Sequence, residues 1–345
     1  MRLPGFLGFP VNQLAIDLGT VNTVIYVRGR GIVLNEPSVI ALETISGVRR
    51  VKVVGNEAKL MMGKTPANIE ALRPLKDGVI ADIEIAEQMI KHFIRKAVGS
   101  KSRMRGYDMV LCIPSGSTVV ERRAIRDAAM NSGASCVQLI EEPMAAAIGA
   151  GLPVTQPRGA MVVDIGGGTT EVAILSLSGL AYSGSVRTGG DQLDEAIASS
   201  IRRRHNLMVG EMTAERIKCQ IGAATIPNGI GQEIPVKGRH LVSGRPCEIT
   251  ISELEVAEAI REPIGQIIAA VRTALEQVAP ELAADIMDEG ITVTGGGALL
   301  RRIDLALSEA TGLSANIAND PLMCVAKGAG ATLEDAVYTG VLQPA

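Results

Sequence analysis

Tryptophan is absent, and three phenylalanines with four tyrosines bring the aromatics to only 2% of 345 residues. Any core must therefore be built from Val, Ile, Leu, Ala and Met, which the 47% apolar content supplies in quantity. Histidine is nearly missing: His92, His205 and His240 stand alone, without metal-ligand spacing. The five cysteines (Cys112, Cys136, Cys219, Cys247, Cys324) are odd in number, scattered and form no C-x-x-C pair. They exclude a disulfide framework and a cysteine metal site, and read as buried free thiols of a reducing compartment. No apolar run reaches the roughly 18 residues of a membrane helix. The N-terminus lacks a signal-peptide core, so the expected location is the cytoplasm. A net charge of −3 offers no broad basic footprint, and no nucleic-acid partner is expected. The runs Arg49-Arg50, Arg202-Arg203-Arg204 and Arg301-Arg302 read as solvated faces.

What the chain does contain is a repeat. IDLGTVNT (16–23) and VDIGGGTTEV (163–172) share one pattern, 147 positions apart from Asp17 to Asp164. Each is an apolar strand ending in Asp, a Gly/Thr turn, and a second alternating strand. A dinucleotide-binding loop feeds a helix after its glycines, and neither of these does. A strand–turn–strand loop instead gathers backbone N–H groups into an anion-binding nest. Two of them suggest two half-molecules gripping one phosphate chain. The length also favours two domains.

The remaining pattern is a hairpin, insertion, helix, strand, helix, strand and helix, occurring approximately twice, which predicts an α/β fold with helices on both sheet faces. A long amphipathic helix is expected over 80–98. Thr118 and Glu121 form a capping box for the helix that follows. Glu142 reads as a helix N-cap with Pro143 at the first helical site. One helix is expected around 252–278, and Asp320-Pro321 starts the last one.

The chemistry should lie at the strand ends. Asp17 and Asp164 suit Mg²⁺ held through water, their other reading being Asx braces of the glycine turns. Gly19, Thr20, Val21 and Asn22 would wrap one side of the phosphates, and Gly166, Gly167, Gly168, Thr169 and Thr170 the other. Glu142, at a helix N-terminus where the dipole favours an ionised carboxylate, is the candidate for orienting water, with a plain cap as the alternative. TGGGALL (294–300) is a third glycine turn, approaching the nucleoside. Glu215 and Lys218 lie three apart on a helix face and read either as a local ion pair or as ribose contacts.

Taken together, DLGTVNT, IPSGSTVVERRAI, EEPMAAAIGAG, DIGGGTTEV, TAERIK and TGGGALL resemble the actin/Hsp70/sugar-kinase ATPase superfamily. Within it, LNEPSVIAL, DGVIAD, LIEEPMAAAIG and MVVDIGGGTTEVA are similar to the MreB family of bacterial actins over about residues 13–335. The resemblance implies an actin-like ATPase fold: two duplicated ribonuclease H-like lobes with small inserted subdomains around a nucleotide cleft. Lobe I would be 1–152 plus 320–345, with an insertion at about 43–76. Lobe II would be 153–319, with an insertion at about 190–250. ATP and Mg²⁺ are the implied cofactors.

By its motifs, Asp17 and Asp164 become metal-side acids. Glu142, Thr169 and Asp164 form the catalytic group. Glu215, Arg216, Ile217 and Lys218 sit at the ribose, and Gly296, Gly297, Ala298, Leu299 and Leu300 at the adenosine. Val21 departs from the family's usual Ala, and Asn22 stands where eukaryotic actin has a phosphate-binding Lys. Charge neutralisation is therefore expected to rest on Mg²⁺ and backbone.

The implied function is a slow ATPase that polymerises with itself and helps determine rod cell shape by organising cell-wall synthesis with membrane proteins of the elongation machinery. The leader MRLPGFLGFP carries Phe6 and Phe9 and suggests peripheral attachment to the inner face of the cytoplasmic membrane through residues 1–10, strengthened by avidity in a polymer. A sugar-kinase-type phosphotransferase and a plasmid- or organelle-positioning actin are the alternatives. A chaperone ATPase would require a peptide-binding domain after the core.

Overall fold

The structure is a computed structural model that describes residues 13–76, 78–99 and 106–344. The leader's expected membrane role falls on residues 1–10, outside the described residues.

Two sheets carry the same strand plan. In the first, Gly31–Pro37, Asn22–Val27 and Gln13–Leu18 form an antiparallel meander. Tyr107–Ile113 pairs parallel to Gln13–Leu18, then Ala134–Glu141 parallel to that, and Gln343–Pro344 closes the edge antiparallel. In the second, Gly179–Val186, Thr170–Ser176 and Ala160–Ile165 repeat the meander. Ile291–Thr294 and Ala315–Ile317 then add in parallel. Three-stranded sheets at Ile40–Ile45/Val48–Val54/Ile69–Leu72 and at Leu207–Met208/Glu233–His240/Pro246–Ser252 stand outside these two, in the regions where the small insertions are expected.

The helices Glu142–Gly149 and Cys324–Glu334 lie between the sheets. Ala145, Ala146, Ala147, Val325 and Ala329 share one buried cluster with Ala15 and Val110 of the first sheet and Val162 and Ala173 of the second. Glycine and alanine at the crossing are what let these helices pack backbone to backbone. A Cβ on Gly328 would sit 1.8 Å from the Ala145 carbonyl oxygen, and one on Gly149 would sit 1.9 Å from the Cys324 carbonyl oxygen. Gly328→Ala must force the helices apart and is expected to cost about 1–3 kcal/mol. A lowered urea midpoint at unchanged slope checks this, and an unchanged midpoint would contradict the close crossing.

Several expectations hold in detail. Thr118 and Glu121 make the reciprocal capping box. The 80–98 helix runs Ile83–Val98, begun late because Asp82 caps the Ile85 N–H while Val79–Ile80 pairs with Leu75–Lys76. Others are corrected. The expected 252–278 helix is two, Glu253–Ala259 and Arg261–Gln277. Pro263 lacks the N–H that would bond across the break, so the second helix restarts there. The helix Pro280–Glu289, with Pro280 at its first turn, was unanticipated. The last α-helix begins at Cys324, after a 3₁₀ turn at Pro321–Met323. Cys136 and Cys219 are exposed rather than buried, although all five thiols are free.

Candidate functional site

The strand plan places both repeated Asp residues at the same edge, facing each other. Asp17 pairs in register with Val24, and Asp164 with Glu171. Each loop is fastened from behind. Buried Ser38 of the LNEPSVIAL segment donates its Oγ to the Gly19 carbonyl at 2.6 Å and its N–H to the Val21 carbonyl at 2.8 Å. In the second loop, the start of the helix Gly190–His205 donates Gly190 N–H to Gly166 O (3.0 Å) and Asp191 N–H to Gly167 O (2.8 Å). The loops touch: a Cβ on Gly167 would lie 2.1 Å from Val21 Cγ2. Only glycine fits opposite the bulkier Val21.

A cleft of about 470 Å³ opens between the loops, within the range of small-molecule sites. It is lined by Asp17, Gly19, Thr20, Val21, Asn22, Glu142, Asp164, Gly166, Gly167, Gly168, Thr169, Glu215, Lys218, Gly296, Gly297, Leu299 and Leu300. Four residues anticipated at the ligand do not line it. Arg216 is exposed and bonds Gln220, while Ile217 and Ala298 face the core because the helical turn rotates them away. Thr170 also turns inward, its Oγ1 donating to Thr188 O.

Carboxylates crowd the floor. Burial, then the neighbouring Asp164, raises Asp17 to about 7. Burial raises Asp164 to about 6, against the opposing effect of a 2.8 Å hydrogen bond from Thr294 Oγ1. Glu142 is pushed well above the carboxylate range, by burial first and then by Glu171, Asp17 and Asp164. The expectation of a dipole-stabilised, ionised Glu142 is therefore corrected: its surroundings favour the protonated form. Desolvation and three like charges outweigh a helix of only eight residues. Nor is Glu142 the cap: it is the first helical residue, after Glu141.

Such mutual repulsion is what a bound cation relieves. Among the described residues, no three His, Cys, Asp or Glu side chains converge on a direct metal site. Two neighbouring carboxylates, Asp17 and Asp164, would suit a hydrated Mg²⁺ better than a metal caged by protein.

Several residues in the cleft or buried beside it gave no sequence signal. Glu171 is 1% exposed and accepts from Ser115 N–H (3.0 Å) and Ser185 Oγ (2.6 Å), with burial raising it to about 7. Lys59, Arg73, Asp191 and Asp194 line the cleft from elements distant in sequence. The Glu215–Lys218 pair does not form. Glu215 meets Lys59 at 2.8 Å, while Lys218 donates to Asp194 Oδ2 and Gly190 O at 2.9 Å. Side-chain cations, Lys59, Arg73 and Lys218, are thus present in the cleft, each already bound to an acid. Asp194 Oδ1 is buried without a hydrogen-bond partner among the described residues, leaving an acceptor for a ligand donor.

A family model described as MreB/Mbl protein matches residues 11–339. The cell shape-determining protein MreB of Escherichia coli (strain K12) is 56% identical over 335 residues, 96% of each chain. The cell shape-determining protein Mbl of Bacillus subtilis (strain 168) is 48% identical over 323 residues, 94% of this chain and 96% of the relative. Among solved structures, MreB5 of Spiroplasma citri bound to ADP superposes with a TM-score of 0.88 at 37% identity, covering 96% of this chain and 98% of that one. The MamK double helical filament, at 23% identity and a TM-score of 0.81, shares the fold.

Proposed function

This chain belongs to the MreB/Mbl family, and from that premise we propose that its cell-shape role runs on nucleotide-driven filament assembly. It is a cytoskeletal, cell shape-determining protein with an actin-like fold. Its relatives from Spiroplasma citri were solved with ADP and with AMPPNP, and this chain's cleft binds a nucleotide likewise.

The observation that carries the reading is the pair of fastened loops touching through Val21 and Gly167 above Asp17 and Asp164. In the proposed complex, backbone N–H groups of Gly19–Asn22 and Gly166–Thr169 hold the phosphates of ATP. Asp17 and Asp164 hold Mg²⁺ through water, and the cation offsets charge on phosphates and carboxylates alike. Glu142 and Thr169 orient the attacking water, and Asp164 completes the catalytic group. Glu215 and Lys218 lie on the ribose side, with Gly296, Gly297, Leu299 and Leu300 against the base.

Attachment to the inner face of the cytoplasmic membrane through residues 1–10, and to membrane proteins of the elongation machinery, completes the proposal. No described helix is long and apolar enough to cross a membrane. Each tail binds weakly, so attachment requires assembly.

Sedimentation and negative-stain microscopy with Mg-ATP, Mg-ADP or no nucleotide, with and without anionic liposomes, test this. Filaments are expected with ATP and gather on the liposomes. Deleting residues 2–10 should abolish liposome co-sedimentation and leave nucleotide binding intact. Soluble monomer with tight ATP binding would sink the filament reading, and undiminished liposome binding by the deletion would sink the tail's role.

A further inference from the structure

The mouth of the cleft is bridged by ion pairs between residues far apart in sequence. Lys59, on the helix Asn56–Met61 of the first insertion, reaches Glu215 on the helix Glu211–Ile221 at 2.8 Å. Their side chains are 20% and 25% exposed, so water and salt screen this pair less than a surface one. Arg73, 15% exposed, grips the same helix one turn earlier through Glu211 (2.6 Å), and also holds Asp191 at 2.9 Å. Lys59, Arg73, Asp191 and Glu215 all line the cleft, and the Arg73 Nε is buried without a hydrogen-bond partner among the described residues.

A carboxylate has about four lone-pair sites, and one ammonium donor occupies one of them. Lys59 therefore leaves Glu215 able to accept from ligand hydroxyls while removing its freedom to rotate into solvent. We infer that Lys59 is a positioning residue of the nucleotide site, fixing the Glu215 carboxylate across the mouth so that it reads the ribose hydroxyls. This rests on the proposed ribose role of Glu215, and adds that selection for ribose is set from the opposite side of the cleft. Arg73 supports it by holding the first turn of the Glu215 helix.

The test compares dissociation constants for Mg-ATP and Mg-2′,3′-dideoxy-ATP, measured on the full chain below its assembly concentration by displacement of a fluorescent nucleotide. Hydroxyl bonds to a fixed carboxylate should favour ATP by about tenfold or more. Glu215→Gln should lose most of that preference. Lys59→Met should lose it too, while its affinity for the dideoxy nucleotide stays within about twofold, a split that general loosening of the fold would not give. Lys59→Arg restores the pair and should restore the preference. Full preference in Lys59→Met beside its loss in Glu215→Gln overturns the inference alone. Full preference in Glu215→Gln overturns the ribose assignment and the inference with it.

Discussion

Glu142→Gln should lower phosphate release by the assembled protein roughly 10²-fold or more while leaving nucleotide affinity nearly unchanged. Glu142 lines the cleft at the end of the strand Ala134–Glu141, where the chain turns into the inter-sheet helix. Its backbone is fixed by that crossing and not by the phosphate loops, so binding does not depend on it. Gln keeps the shape and cannot supply the carboxylate that Glu142 would become once a bound cation offsets the neighbouring acids, and with it the charge that would orient and polarise water. The same change should stabilise the nucleotide-free protein above neutral pH. It removes one member of a set in which Asp17, Asp164 and Glu171 all disfavour its ionisation. Slower hydrolysis together with a higher melting temperature is thus the expected signature. Filaments of the variant should also persist longer after free nucleotide is removed. Phosphate release within twofold of the unmodified chain would remove Glu142 from the proposed water site.

Much of this arrangement was legible because it is local and repeated. Asp17 and Asp164 end equivalent strands, and the strand order of the two meanders follows from the repeated hairpin pattern. The Thr118–Glu121 box is readable at a spacing of three. Ser38 shows the limit. LNEPSVIAL marks it by resemblance, but its grip on the Gly19–Val21 loop depends on a strand returning beside the first hairpin.

The ion pairs of the mouth were not legible at all. Lys59 and Glu215 are 156 positions apart, and the sequence offers Glu215 only Lys218, on its own helix, as an ionic partner. Glu171 was hidden for another reason. In TEVAILSL it occupies a position that alternation reads as outward, yet both faces of that strand are covered and the acid is buried on Ser115 and Ser185. The local Glu215–Lys218 pair, one of two readings of that helix face, does not form because each side chain meets a partner on another element.

The crowded floor also makes affinity depend on pH, with a sign fixed by the direction of the shifts. Unfolded Asp ionises near 3.8, whereas native Asp164 and Asp17 hold their protons to about 6 and about 7. Between those limits the native state binds more protons than the unfolded chain. The contribution of these groups to stability is therefore complete below about pH 4 and is lost as pH rises through 6 and 7. Nucleotide-free protein should melt at progressively lower temperature across that window, relative to Asp17→Asn, and the difference should level off above about pH 7.5. The variant comparison matters because other buried acids, Asp194 raised to about 6 and Glu171 to about 7, titrate in the same window.

Mg-nucleotide binding reverses the dependence. A divalent cation at the floor favours the ionised carboxylates, so binding must expel the protons they hold. Affinity should climb with pH through 6 to 7 and then plateau. Calorimetry in two buffers of different ionisation enthalpy should count protons released near pH 6 and close to none near pH 8. Asp17→Asn should abolish most of the release and weaken Mg-nucleotide affinity. Removing Mg²⁺ with a chelator should cost the unmodified protein far more affinity than it costs the variant. If affinity is flat from pH 5.5 to 8, or if the variant releases as many protons, Asp17 does not face the cation. The repulsion at the floor would then be relieved by some other route.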